Sequence, residues 1–128
     1  MKSIKKGFTL IELLIVIAII GILASIVLVS LSSARERAYV AKFKSVIRSI
    51  QVQAVSACDD GIIDYTDITG SFGDIPDDTI DVAGIQDNGQ SCGLSNIQSF
   101  SADIPSSNLD VSCTAVIEET GVTSFSGC

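Results

Sequence analysis

The chain has 128 residues, 47% of them apolar, a formal net charge of −7 and no histidine. That length holds one domain rather than two, and the lack of imidazole excludes His-based triads, His metal sites and imidazole general bases. Charge is segregated: residues 1–50 carry all eight Lys and Arg against Glu12 and Glu36, a balance of +6, whereas residues 51–128 carry thirteen acids and no base, so nucleic acid is not an expected partner of that part.

Residues 1–7 read as a short leader with Lys2, Lys5 and Lys6. Residues 8–31 follow as an apolar run broken only by Thr9, Glu12, Gly21, Ser25 and Ser30. As a helix this run spans about 36 Å, enough to cross a bilayer with some tilt. In residues 32–58 the pattern becomes amphipathic. Tyr39, Phe43, Val46, Ile47, Ile50, Ala54 and Ala57 recur at helical spacing, while Arg35, Arg37, Lys42, Lys44 and Arg48 take much of the remaining surface. No proline separates the two parts, so one helix of about 75 Å is expected. Asp59-Asp60-Gly61 should end it, with Gly61 as a left-handed cap. A helix of that length cannot be the core of so small a globule. It is expected to project and to find apolar cover in lipid or in other subunits.

Residues 59–128 read as strands and loops. Turn formers crowd residues 69–73, 74–78 and 87–93. Alternation is clearest over residues 108–117, and Glu118-Glu119-Thr120-Gly121 should turn the chain into a second strand at 122–126. Weaker strand signals lie at 62–68 and 97–102. The four cysteines Cys58, Cys92, Cys113 and Cys128 point to disulfides and an oxidising compartment. No two of them are close enough in sequence for an ordinary zinc site. No nucleophile motif, phosphate loop or metal-ligand cluster appears, so no enzyme activity and no cofactor are expected. The acidic stretch at 74–81 does not fit an EF-hand loop. A solvated loop is the expectation there, with calcium as the one ligand it could take. The fold class expected is α+β: a long N-terminal helical stem packed on a small antiparallel β head with disulfides.

The segment Lys5-Lys6-Gly7-Phe8-Thr9-Leu10-Ile11-Glu12-Leu13-Leu14 resembles the processing site of type IV pilins and the related secretion pseudopilins. The resemblance implies cleavage between Gly7 and Phe8 by a membrane prepilin peptidase and N-methylation of Phe8. It places the family's stem glutamate on Glu12. It implies a single-pass membrane form with its head outside, then a filament of like subunits. Its further partners would be a platform membrane protein and an assembly ATPase. The family often has a proline later in the stem; here residues 26–29 have none. Pilin heads commonly close a loop over the terminal hairpin, so Cys58–Cys92 and Cys113–Cys128 are expected among three connectivities.

The bottom-up reading of Glu12 agrees. A charge in a membrane span costs on the order of 2.5–3.5 kcal/mol on insertion scales, so it needs a partner. Cleavage would create one, the Phe8 ammonium of a neighbouring subunit. Burying such a pair gains little net stability, but leaving one member unpaired is costly, so the pair would set register rather than act as glue. The bland alternative is a Glu12 that snorkels to the headgroups and does nothing. A rival of another class is a secreted soluble disulfide-bonded protein cut near Ala34 by an ordinary signal peptidase. Its apolar run would be too long and would contain Glu12. Lys and Arg counts favour an inside head, five after the run against three before it. The cysteines and the cleavage motif demand the opposite, leaving the five bases free for assembly.

Overall fold

The computed structural model describes residues 7–67, 78–93, 98–108 and 110–128. Helix α1 (Leu10–Asp60) is followed by a single 3-10 turn (Val82–Gly84) and by strands β1 (Gln86–Ser91), β2 (Ser99–Pro105), β3 (Thr114–Glu118) and β4 (Gly121–Ser126). The strands form one antiparallel sheet in the order β1-β2-β3-β4. The chain divides into two compact units, one ending at Arg35 and the other Glu36–Cys128.

In the first unit every described residue is exposed, Leu28 at 68% and Val29 at 77% among them. Its helix is long and apolar enough to cross a membrane. Its serines bond back to the helix itself: Ser25 Oγ donates to the carbonyls of Gly21 (2.7 Å) and Ile22 (3.0 Å), and Ser33 Oγ to that of Ser30. Such back-bonding satisfies these two hydroxyls without water.

In the second unit α1 buries Phe43, Ile47, Ile50, Ala54 and Cys58, at the three- and four-residue steps of one helix face. The sheet supplies the opposite half of the core. β2 buries Phe100, Ala102 and Ile104, and β3 buries Ala115 and Ile117. Ala102 lies opposite Ile117 and Ile104 opposite Ala115, so each large side chain on the sheet faces a small one across the strands. Tyr39, Val46 and Ala57, expected on the buried stripe, are only partly buried at its margin.

A network ties residues 78–81 to α1. The Tyr39 hydroxyl lies 2.9 Å from the Thr79 carbonyl, and Lys42 Nζ makes an ion pair with Asp78 at 2.9 Å. Ile80 bridges Ser106, and Asp81 N–H donates to the Pro105 carbonyl. Two disulfides complete the unit, Cys58–Cys92 with Cα atoms 4.7 Å apart and Cys113–Cys128 at 4.8 Å. The second closes only because Gly127 turns with φ +71°; a Cβ there would collide with the Ser112 carbonyl oxygen.

Several sequence expectations need correction. β1 lies where only turn formers were read. Its residues are nearly all exposed, so it carries no apolar alternation, and pairing to β2 alone defines it. The strand expected at 108–117 begins only at Thr114. Before it Asn108 folds the chain, its side chain accepting from Asp110 N–H and its carbonyl from Val111 N–H. Residues 62–67 form no strand because a side chain takes the place of a neighbouring backbone. Ile63 N–H donates to Gln90 Oε1 (2.7 Å) and its carbonyl accepts from Gln90 Nε2 (3.0 Å). The strand expected at 97–102 is β2 and runs on to Pro105; residue 97 lies outside the described residues. The turns expected at 69–73 and most of 74–78 also lie outside them. Helix α1 does end at Asp60, but Gly61 at φ 158° is nearly extended and not a left-handed cap.

Three outcomes follow for the protein in detergent. Ile47→Ala should cost about 2–5 kcal/mol of unfolding free energy in a denaturant titration, and Val52→Ala, at an exposed position, less than about 0.5. Cys113→Ser should cost about 3 kcal/mol, as for any loop of about 15 residues, and Gly127→Ala should slow closure of the same bond in an oxidative refolding assay. The Asp78 carboxyl is held below its ordinary range, chiefly by its hydrogen bond from Lys42. Its contribution is therefore complete above the ordinary carboxylate range and is lost as pH falls through the depressed value. Acid titration of Asp78→Asn should show a shallower loss of stability below about pH 4 than the unaltered chain.

Candidate processing and assembly site

Gly7 precedes α1, and nothing lies within 4 Å of where its Cβ would be. Phe8 is 82% exposed. Among the described residues nothing covers the bond between them. Thr9 is the helix N-cap and Glu12 answers it from the first turn. Glu12 Oε2 accepts from Thr9 N–H (2.8 Å) and from the Thr9 hydroxyl (2.6 Å), and Thr9 Oγ1 accepts from Glu12 N–H (3.3 Å). This reciprocal arrangement is a capping box. It sets the start of the helix two residues after the Gly7–Phe8 bond, and the negative carboxylate sits at the positive end of the helix dipole.

Thr9 is the residue that sequence reasoning missed. Its signal was present, because Thr9-Leu10-Ile11-Glu12 is the capping-box spacing at the head of an apolar run. Within one chain the structure therefore gives Glu12 a local partner. The expected intersubunit partner, the Phe8 amine, exists only after cleavage. Gly7, Phe8, Thr9 and Glu12 are brought together at one helix end. Cys58, Cys92, Cys113 and Cys128 belong to the second unit and serve its closure.

The second unit presents two charged edges. Along α1, Arg37, Lys44 and Arg48 repeat at steps of seven and four, and Lys44 Nζ stands 5.3 Å from the centre of the Phe125 ring on β4. At the other edge of the sheet Asp87 accepts from Gly89 N–H and Gln90 Nε2, each at 2.8 Å, and Asp103 accepts from Asn88 Nδ2 at 2.9 Å. Asp64 accepts from the Thr66 hydroxyl (2.6 Å) and N–H (2.9 Å), which hold its carboxyl below the usual range. Burial, with the charge of Asp87 adding to it, pushes the Tyr65 phenol up to about 12. Of the acidic stretch at 74–81, residues 74–77 lie outside the described residues, Asp78 is paired with Lys42 and Asp81 caps the 3-10 turn. No group of three or more acids or cysteines that could hold a metal occurs among the described residues.

Residues 2–28 match the family signature described as the prokaryotic N-terminal methylation motif. The chain is 38% identical over 73 residues to a type IV major fimbrial protein FimA of Dichelobacter nodosus, a match covering 57% of this chain and 45% of that protein. It is 43% identical over 61 residues to a fimbrial protein of the same organism, covering 48% of this chain and 38% of the relative. The chain thus spans less than half the length of these relatives. No solved structure matches it. The N-terminal half of the chain thus carries the methylation motif and is similar to the N-terminal part of type IV fimbrial proteins.

Proposed function

We propose that the chain is a structural subunit of a type IV pilus-like filament. It is inserted in the membrane through residues 8–31, cut after Gly7, N-methylated on Phe8 and then assembled by packing of stems. The observation that carries this reading is an apolar helix segment whose side chains are all exposed in the single chain and whose one charge, Glu12, sits beside the cleavage point. Lipid covers that segment before assembly and identical segments cover it afterwards. Lipid tails are as apolar as leucine, so burial alone does not move the helix from one medium to the other. External work is needed, which is the part given to a platform membrane protein and a cytoplasmic ATPase. A prepilin peptidase supplies the cleavage.

The work of such a subunit is polymerisation, and it calls for no catalytic group and no cofactor. Minor pilins and secretion pseudopilins share the same stem logic and differ in abundance and place in the filament. The soluble reading, with cleavage near Ala34, removes the whole matched segment and is disfavoured for that reason. N-terminal analysis of the mature protein should find Phe8 carrying one methyl group; a chain beginning at Arg35 would overturn the proposal. Glu12→Ala should leave an inserted, processed subunit whose sheared filament yield falls about tenfold or more, because the neighbour's ammonium is left buried and unpaired. Unchanged yield would show that Glu12 does not set register.

A further inference from the structure

We propose that the basic line of Arg37, Lys44 and Arg48 on α1 is a docking face for the β1 edge of a second copy of this chain, with Asp87, Asp103 and Asp64 as its counter-charges. The inference rests on the filament reading and deepens it by naming which surfaces of the heads meet. At 100° per residue, steps of seven and four keep the three bases within about 40° of one another around the helix. Their flank is the one toward β4. Lys44 stands over Phe125, and Gln51 Nε2 one turn on donates to the Glu118 carbonyl at the β3–β4 turn. The opposite flank of the helix faces residues 78–81, through Tyr39 and Lys42.

Among the described residues Arg37, Lys44 and Arg48 make no ion pair. The one ion pair among the described residues is Lys42–Asp78, on the other flank. Glu119, at the near turn, has its carboxylate on the Phe100 N–H. Asp87 on β1 is three strand spacings from β4, about 14 Å, and Asp103 on β2 is two, about 10 Å, so both acids lie on the far side of the sheet from Phe125 and Lys44. The acids there are fixed by their own hydrogen bonds, which orient them without neutralising them. Two surfaces of opposite sign at opposite edges make a head-to-tail contact. Such a contact does not close on itself as a two-fold dimer does, and repetition of it builds an open array. A second copy is therefore the occupant that the charge pattern fits.

The test uses the full chain, grown as an equal mixture of isotopically light and heavy copies. It is made on the membrane-embedded protein and on filaments sheared from the same cells. A zero-length carbodiimide joins amines to carboxylates in contact, and mass spectrometry reads the linked peptides. Amides between Lys44 of one copy and Asp87, Asp103 or Asp64 of the other isotope are expected. In parallel, Arg37→Glu/Lys44→Glu/Arg48→Glu should lower sheared filament yield about tenfold, as should Asp87→Lys/Asp103→Lys. The combined chain should recover to within about threefold of the original. A non-reducing peptide map confirms both disulfides in each variant, and the linkage experiment needs no variant at all.

Filaments with no mixed Lys44 link and with undiminished yield from the reversed chains overturn the docking face and leave the filament reading standing. Mixed links in the membrane from cells that make no filaments do the reverse. A third arm places the chain in phosphatidylcholine vesicles with and without phosphatidylglycerol. Protection of Lys44 from acylation only with the anionic lipid, with no mixed link, would assign the basic line to headgroups and end the proposal.

Discussion

An apolar helix that its own chain does not cover governs everything else about this protein. Exposing a Leu, Ile or Val side chain costs about 1.5–3 kcal/mol relative to burial. The segment from Leu10 to Leu31 exposes more than a dozen of them. Left in water they would oppose the soluble state by tens of kcal/mol, against a typical domain stability of about 5–15. No adjustment of the small head could offset that. The segment therefore needs apolar cover, and on the proposed reading function lies in how it passes from lipid to other copies. Because the two media are nearly equivalent for hydrocarbon, the few polar groups in the segment decide the outcome. The Ser25 hydroxyl is satisfied by the helix that carries it. Only the Glu12 carboxylate brings a charge.

The capping box explains how that charge is tolerated. Before cleavage the Phe8 nitrogen is an uncharged amide, and Thr9 supplies the two donors that Glu12 accepts. Cutting the Gly7–Phe8 bond creates an ammonium next to Thr9. A charge-assisted hydrogen bond is roughly twice as strong as a neutral one, so the new group competes with Thr9 for the same carboxylate. The proposed processing would thereby offer Glu12 a second partner beside Thr9. Thr9 holds the acid in the first turn, where an incoming amine can find it.

What the sequence made legible depended on how many residues had to agree. The motif around Gly7 and Phe8, the helix through residues 10–60 and the β3–β4 hairpin each rest on local patterns, whereas the pairing of the four cysteines, at separations of 34 and 15 residues, was one expectation among three connectivities. β1 was invisible because an exposed edge strand has no buried face, and Asp87, Asn88 and Gly89 are turn formers in any other setting. Residues 62–67 looked like a strand because Ile62 and Ile63 are apolar. Their ladder partner turned out to be the side chain of Gln90, twenty-seven residues on, which no periodicity reveals. The same limit applied at residues 108–113. Val111 and Cys113 are buried as alternation requires, but Asn108 bends the backbone that carries them. Thr9 was missed for a different reason: a strong family resemblance drew the eye to Glu12 and past its local partner.

Charge closes the argument. The proposed cleavage after Gly7 would take away Lys2, Lys5 and Lys6 and leave side chains with five bases against fifteen acids, a balance of −10. Bringing many such subunits together is unfavourable at long range. At physiological ionic strength, however, the Debye length is about 8 Å, and repulsion between heads whose centres are farther apart than that is largely screened. A contact between Lys44 or Arg48 and a carboxylate at hydrogen-bond distance survives the same salt and weakens only as the screening length falls to about 3 Å near 1 M. Net charge and local charge therefore respond to salt over different ranges. On the proposed docking face, keeping Arg37, Lys44 and Arg48 on one flank of α1, instead of scattering them among the acids, preserves the short-range attraction while the acids keep the remaining surface mutually repulsive. A chain with the same net charge but evenly mixed signs would lose the first of these properties, and with it any preference for one orientation of its neighbour.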